Sequence, residues 1–151
     1  MNQEKKIVYV DMDEVIVDFQ SGINSLSKEE QMEWKGKYDK YPGIFSKMVP
    51  IVGAIDAVYK LMEKYDVYIL SSPSWENASS FSDKNLWVRK YFSDKLKKRL
   101  ILSHHKNLNR GDYLIDDRTK NGADKFKGEH IHFGNDPKFQ NWDDVLKYLL
   151  K

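Results

Sequence analysis

Two aspartates spaced one residue apart, Asp11 and Asp13, follow directly on the apolar, β-branched run of residues 7–10. Such a run predicts a buried strand, and the ligands of an open parallel sheet bind beyond the carboxyl ends of its strands. Side chains two residues apart on an extended segment point the same way, so a cation or a proton must separate the two negative charges. Mg²⁺ is commonly held by one or two carboxylates. The alternative is a strand end followed by a solvated acidic turn.

Polar side chains also end three later apolar runs. The predicted strands at residues 67–70, 100–102 and 113–115 lead into Ser71 and Ser72, into a loop that carries Lys106, and into Asp116 and Asp117. Taken singly, each of these fits an ordinary turn or a solvated lysine. Because the carboxyl ends of parallel strands share one edge of a sheet, their joint order favours a single site.

Amphipathic segments alternate with these strands. Residues 53–65 and 82–97 carry apolar side chains at helical spacing, and residues 142–150 form a closing helix. Residues 130–133 are the predicted fifth strand. This alternation predicts an α/β fold, a Rossmann-like parallel sheet flanked by helices.

Residues 17–50 interrupt the alternation. The segment is polar and aromatic, with Trp34, Tyr38 and Tyr41 among charged residues and a break at Pro42 and Gly43. We expect a small helical cap inserted after the first strand, within a single domain that spans residues 1–151.

Composition excludes several kinds of function. The 151 residues include no cysteine, which excludes disulfides, a thiolate zinc site and a cysteine nucleophile. A formal net charge of +2 is too small to indicate a nucleic-acid polymer or a membrane as partner. No apolar stretch approaches the roughly 20 residues that span a bilayer, and no apolar signal region precedes the first strand, so we expect a cytoplasmic protein.

The adjacent His104 and His105 are interpreted as loop residues rather than metal ligands. The sequence leaves a homodimer possible.

The order of the motif residues resembles that of the haloacid-dehalogenase-like (HAD-like) phosphohydrolases. The shared motifs are Asp-x-Asp-x-Val at residues 11–15, a serine after the second strand, a lysine, and Asp-Asp after a later strand. Within that superfamily the chain looks like the 5′(3′)-deoxyribonucleotidases. The segments that carry the family resemblance are residues 11–19, 42–45, 50, 53–54, 71–73, 84, 87–88 and 114–118.

The resemblance implies a catalytic role for four residues. Asp11 would be the nucleophile that forms an aspartyl-phosphate, and Asp13 would protonate the leaving oxygen and then activate water. Ser71 would donate a hydrogen bond to a phosphate oxygen, and Lys106 would supply a compact positive charge.

The same resemblance implies a Mg²⁺ site. Its ligands would be Asp11, the backbone carbonyl of Asp13 and the pair Asp116 and Asp117. Asp117 is the preferred direct ligand, whereas Asp116 would bind through water or orient the site.

Substrate recognition is expected from Phe19, Phe45, Ser72 and Lys84. Phe19 matches a family position that lines the base pocket, Phe45 lies in a Pro-Gly-x-Phe segment, and Lys84 fits a position that reaches the phosphate. Aromatic faces stack on nucleobases, although Phe19 and Phe45 could equally pack the cap against the core. The segment 74–75, which contains Trp75, is a further candidate to face the base.

The implied function is a Mg²⁺-dependent phosphomonoesterase acting on a small molecule, a deoxyribonucleoside monophosphate. Two alternatives retain the chemistry: a HAD phosphatase for another small phosphoester, such as a sugar phosphate, or a phosphotransferase. A third is a non-catalytic nucleotide-binding domain that retains only the fold.

Overall fold

The central sheet is parallel and has five strands. The computed structural model describes residues 4–151. In this range the strands are β1 (Ile7–Val10), β2 (Val17–Asp18), β3 (Val49–Pro50), β4 (Asp66–Ser71), β5 (Leu100–Leu102), β6 (Tyr113–Asp116) and β7 (Glu129–His132). The sheet has the order β5-β4-β1-β6-β7, and every neighbouring pair is parallel. The predicted α/β fold is therefore confirmed.

Strand β1 lies at the centre of this sheet. Its residues Val8 and Val10 are fully buried, as expected for a strand covered by helices on both faces. Val10 is paired with Ile69 of β4 on one side and with Ile115 of β6 on the other. The residues that follow β1 are thus flanked by those that follow β4 and β6, which brings the predicted site together.

In the described part of the chain, five α-helices accompany the strands. They are α1 (Phe19–Asn24), α2 (Lys28–Glu33), α3 (Ala54–Lys64), α4 (Ala78–Phe92) and α5 (Trp142–Leu149). Helices α3 and α5 pack against each other, and α3 buries Ala57, Val58 and Leu61. The apolar spacing that predicted α3 therefore corresponds to the buried face of the helix.

Helix α4 differs from the helix predicted over residues 82–97. It begins at Ala78 and ends at Phe92, and a 3₁₀ turn follows over Ser93–Leu96. Ser93 has a φ angle of 49°, a left-handed conformation that cannot continue a right-handed α-helix. Lys84 therefore lies in the second turn of α4 rather than near its start.

The insertion over residues 17–50 contains short helices, as predicted. It comprises β2, α1, α2, two 3₁₀ turns and β3, and the antiparallel pair of β2 and β3 closes its base. The indole Nε1 of Trp87 in α4 donates to the carbonyl oxygen of Met48 at 3.1 Å. The Asn77 amide donates to the carbonyl oxygens of Asp39 and Tyr41. These bonds tie the insertion to α4. Within residues 4–151, no helix is both long and apolar enough to cross a lipid bilayer.

Candidate active site

The carboxyl ends of β1, β4 and β6, together with the segment that follows β5, bring four polar side chains into the interior. Asp11, Ser71, Lys106 and Asp116 are all buried, with no more than 7% of their surface exposed. The backbone N–H of Asp11 donates to the carbonyl oxygen of Ile115 at 2.9 Å, which extends the sheet by one residue. Buried charges are costly unless they are paired, so their partners determine what the site can do.

Lys106 neutralises two of the buried carboxylates. Its Nζ lies 2.9 Å from Asp11 Oδ1 and 2.5 Å from Asp116 Oδ2. Burial opposes its charge, but the attraction of Asp11 and Asp116 outweighs burial and raises the pKa of Lys106. The lysine is anchored by its backbone, because its N–H donates to the carbonyl oxygen of Asn121 at 2.7 Å. It stays charged in the interior and bridges the ends of β1 and β6.

Asp11, Asp116 and Asp117 form an oxygen-lined cluster suited to a divalent cation. Each offers a carboxylate oxygen, and these atoms lie within 4.8 Å of one another. Burial, followed by the negative charges of Asp11 and Asp116, raises the pKa of Asp117 to about 8. Burial likewise raises the pKa of Asp11. The cluster thus holds more negative charge than Lys106 compensates, and an all-oxygen donor set fits a hard divalent cation.

Asp13 has a separate partner, the fully buried Lys84. The Lys84 Nζ lies 3.1 Å from Asp13 Oδ2 and 4.5 Å from the centroid of the Phe45 ring. Burial raises the pKa of Asp13, although the charge of Lys84 opposes the shift. Asp13 Oδ1 and the Ser71 hydroxyl are buried and have no hydrogen-bond partner among residues 4–151. These two groups are free to contact a ligand.

These residues surround a small space that we call the acidic pocket, lined by Asp11, Asp13, Lys106, Asp116 and Asp117. Its volume is about 50 Å³, and Ser72, Arg118, Lys120 and Asn121 complete its lining. The Ser72 hydroxyl donates to the carbonyl oxygen of Ser103 at 2.6 Å. That hydrogen is therefore committed to the protein rather than free for a substrate.

A larger depression, which we call the aromatic cleft, adjoins the acidic pocket. It has a volume of about 490 Å³, its aromatic lining residues are Phe19, Tyr38, Phe45 and Trp75, and it shares Asp13, Ser72, Arg118 and Asn121 with the acidic pocket. A molecule that spans both spaces could place a phosphate in the acidic pocket and a flat ring in the cleft.

The aromatic residues of the cleft differ in accessibility. Phe19 and Phe45 meet edge to face with centroids 5.8 Å apart, and Phe45 is only 4% exposed. Trp75, in contrast, is 80% exposed. Its ring lies edge to face with that of His104, 5.9 Å away, and His104 Nε2 donates to the carbonyl oxygen of Pro73 at 2.8 Å. Trp75 is thus the better placed ring for stacking, while Phe45 contributes mainly to packing.

Sequence reasoning assigned no role to several residues of this region. Arg118 lines both the acidic pocket and the aromatic cleft. Its position directly after the Asp116–Asp117 pair could have indicated that it belongs to the site. Glu14 lines the cleft with a φ angle of 65°, and its carboxylate accepts a bond from the Phe19 N–H at 3.2 Å. Residues other than glycine, asparagine and aspartate rarely adopt such a φ angle.

Comparison with solved structures identifies the fold. A HAD-hydrolase of Bacillus subtilis, YfnB, whose crystal structure was determined bound to magnesium, superposes with a TM-score of 0.65 at 11% identity, over 97% of this chain and 99% of that one. A haloacid-dehalogenase-like hydrolase of Streptococcus pneumoniae superposes with a TM-score of 0.57 at 13% identity, over 95% and 90% of the two chains. At these identities the likeness concerns the fold. The fold of this chain is that of the HAD-like hydrolases.

Sequence comparison narrows the class to a family. The model of the family described as 5′ nucleotidase, deoxy (pyrimidine), cytosolic type C protein matches residues 20–147. A protein of Vibrio phage KVP40, provisionally named a 5′(3′)-deoxyribonucleotidase, is 58% identical over 146 residues, which cover 97% of this chain and 85% of that protein. A Staphylococcus aureus protein with the same provisional name is 34% identical over 72% of this chain and 64% of its own length. The chain belongs to this 5′-deoxyribonucleotidase family of phosphoric monoester hydrolases.

Proposed function

We propose that the protein is a Mg²⁺-dependent phosphatase of deoxyribonucleoside monophosphates that works through an aspartyl-phosphate on Asp11. The observation that carries this proposal is the junction of two unlike spaces. A buried pocket with paired lysines and carboxylates opens into an aromatic cleft, and both share Asp13 and Arg118. The names of the family and of the phage relative support the same substrate class.

The residues of the acidic pocket fit a bound Mg²⁺ ion. We assign Asp11, Asp117 and the backbone carbonyl of Asp13 as its ligands. Asp116 has both carboxylate oxygens engaged, Oδ2 by Lys106 and Oδ1 by the Arg118 N–H at 3.0 Å, so it orients the site instead. When bound, Mg²⁺ would offset the negative charge that the phosphate brings to these carboxylates.

In the first step, an Asp11 oxygen forms a bond to phosphorus while the bond between phosphorus and the nucleoside oxygen breaks. Asp13 gives its proton to that oxygen. Its raised pKa favours the protonated state that this step requires. Lys106 and the Ser71 hydroxyl bind the phosphate oxygens, and Arg118 at the junction contributes a further cation.

In the second step, Asp13 accepts a proton from water as the water oxygen bonds to phosphorus. The bond between phosphorus and Asp11 breaks, which releases inorganic phosphate and regenerates the Asp11 carboxylate and the protonated form of Asp13. Lys84 holds Asp13 in place through the 3.1 Å contact to Oδ2. Its role in this proposal is thus to position the acid and base, in addition to the phosphate contact expected from sequence.

The test is phosphate release from a matched panel with Mg²⁺ or with a chelator. The panel contains deoxyribonucleoside monophosphates, ribonucleoside monophosphates, 2-deoxyribose 5-phosphate and other sugar phosphates. We expect Mg²⁺-dependent turnover that is fastest with deoxyribonucleotides. Faster turnover of a sugar phosphate would replace the substrate but retain the chemistry, and phosphate transfer to added alcohols would indicate a phosphotransferase. Nucleotide binding without turnover of any ester would indicate a non-catalytic nucleotide-binding domain.

The cytoplasmic location, the single-domain organisation with a cap at residues 17–50, and a homodimer stay predictions. Size-exclusion chromatography with light scattering would determine the oligomeric state directly.

A further inference from the structure

Two histidines of β7 bond to the backbone that presents Asp116 and Asp117. His130 and His132 are two residues apart on the strand, so their side chains lie on the same face, with ring centroids 5.1 Å apart. His130 Nε2 lies 3.1 Å from the carbonyl oxygen of Asp116, and His132 Nε2 lies 3.0 Å from that of Asp117. Because a carbonyl oxygen only accepts, both imidazoles donate from Nε2.

Each of these carbonyl oxygens also accepts a second hydrogen bond. Asp116 O accepts from the backbone N–H of Phe133 at 3.0 Å, and Asp117 O accepts from the side-chain amide of Asn135 at 2.7 Å. A carbonyl oxygen has two lone pairs, so both oxygens are fully engaged by β7 and the residues that follow it. From this pair, the Asp117 carboxylate remains to face a cation, because both carboxylate oxygens of Asp116 are engaged by Lys106 and by the Arg118 N–H.

The histidine bonds are additional to the strand pairing. In the parallel register His130 lies opposite Leu114 and His132 lies opposite Asp116. Both side chains therefore reach further along the neighbouring strand, to peptide groups at and beyond its carboxyl end. The end of β6 is thereby held more firmly than backbone pairing alone would hold it.

We propose that His130 and His132 are positioning residues for the divalent cation. By fixing the two carbonyl groups, they hold the Asp117 carboxylate at the separation from Asp11 that a cation requires, and they hold Asp116, which orients the site, beside it. Loss of a hydrogen bond that orients a metal-ligating residue commonly weakens metal binding by about 10- to 100-fold. This inference rests on the proposed function only in taking Mg²⁺ as the ion.

The experiment measures the Kd for Mg²⁺ by calorimetry on folded, substrate-free protein. His132→Leu should weaken binding by about tenfold. His132→Gln keeps an N–H donor at similar reach and should restore the Kd to within about threefold. The matched control is His104→Leu, since His104 Nε2 also donates to a backbone carbonyl, that of Pro73 at 2.8 Å. The control should leave the Mg²⁺ Kd unchanged.

A second variant, Asn135→Ala, tests the inference independently in case His132→Leu does not fold. Asn135 is exposed, so its truncation should leave the fold intact while it removes one of the two bonds to the Asp117 carbonyl. Weaker Mg²⁺ binding by Asn135→Ala supports the inference even if His132→Leu does not fold. Wild-type affinity in both variants overturns it, as does a failure of His132→Gln to improve on His132→Leu. This measurement does not depend on nucleotide turnover. A failed nucleotidase assay would overturn the proposed function, but the Mg²⁺ Kd values could still be interpreted.

Discussion

The acidic pocket and the aromatic cleft have four lining residues in common, but they differ in how far their side chains are buried and paired. In the pocket, Asp11 and Asp116 are buried and paired with Lys106. In the cleft, Trp75 is largely exposed, and Tyr38 and Phe19, which also line the cleft, are half-buried. Charges that must act on phosphate gain strength from burial, whereas a ring that must accept a base needs an open face. We therefore expect substitutions in the pocket to abolish the chemistry or destabilise the fold, and substitutions in the cleft to change substrate choice.

The largest effect should come from Asp11→Asn. The amide has nearly the same shape but cannot attack phosphorus, so we expect phosphate release to fall by more than about a thousandfold, as when other catalytic nucleophiles are removed. The measurement is turnover of a deoxyribonucleotide with Mg²⁺, and circular dichroism checks that the variant is folded. Substantial residual activity would rule out the aspartyl-phosphate.

Lys106→Met should be the most destabilising change in the pocket. It removes the cation shared by Asp11 and Asp116 and leaves two buried carboxylates uncompensated, which costs about 3–5 kcal/mol. Chemical denaturation measures the free energy of unfolding. The matched control is Lys127→Met at an exposed position, where we expect a change within about 0.5 kcal/mol. Similar effects of the two substitutions would contradict the central place of Lys106 in the pocket.

Trp75→Ala tests the cleft. Stacking of a base on an aromatic ring contributes about 1–3 kcal/mol, so we expect kcat/KM for deoxyribonucleotides to fall by about tenfold, mainly through KM. The same variant should treat 2-deoxyribose 5-phosphate as the wild type does, because that ester has no base. Trp75→Phe should retain most of the activity. An equal loss with both substrates would mean that Trp75 supports the fold rather than the base.

The smallest effect concerns pH and Asp117. Its pKa of about 8 in the folded protein lies above the ordinary value of 3.8, so the folded state binds more protons than the unfolded state between these two pH values. Stability of the metal-free protein should therefore fall as pH rises from about 4 to about 8. Asp117→Asn should lessen this slope and raise the Tm at pH 8 by at least 2–4 °C, which is roughly the shift that 1 kcal/mol produces in a chain of this length. This lower bound allows for solvent screening at the half-buried Asp117, which reduces the effect of the full pKa shift.

Mg²⁺ should reverse this pH effect in the wild type but not in Asp117→Asn. Scanning calorimetry of both proteins at pH 5 and pH 8, with Mg²⁺ or with a chelator, provides the comparison. Identical slopes for the two proteins would show that Asp117 does not carry the excess charge.

The sequence patterns predicted the fold and the five charged residues by which the acidic pocket is defined, but they were less informative about the aromatic cleft. Strand β1 and Asp11 were predictable because a buried strand has a local signature, and Ser71, Lys106 and Asp116 follow strands with the same signature. Phe45 was expected as a stacking residue, and its near-complete burial limits that role. Whether an aromatic ring packs or remains open depends on its neighbours in space, which here include Lys84 from α4.

The sequence by itself determined which residues end the strands, and hence the class of chemistry, since alternation of apolar and polar residues is local. Only the tertiary structure decided their partners. The pairing of Lys84 with Asp13 and the contacts of His132 and Asn135 with the Asp117 carbonyl join residues that are 71, 15 and 18 positions apart. Such contacts follow from the order of the strands and the placement of α4, because side chains meet only after the sheet has brought distant segments together.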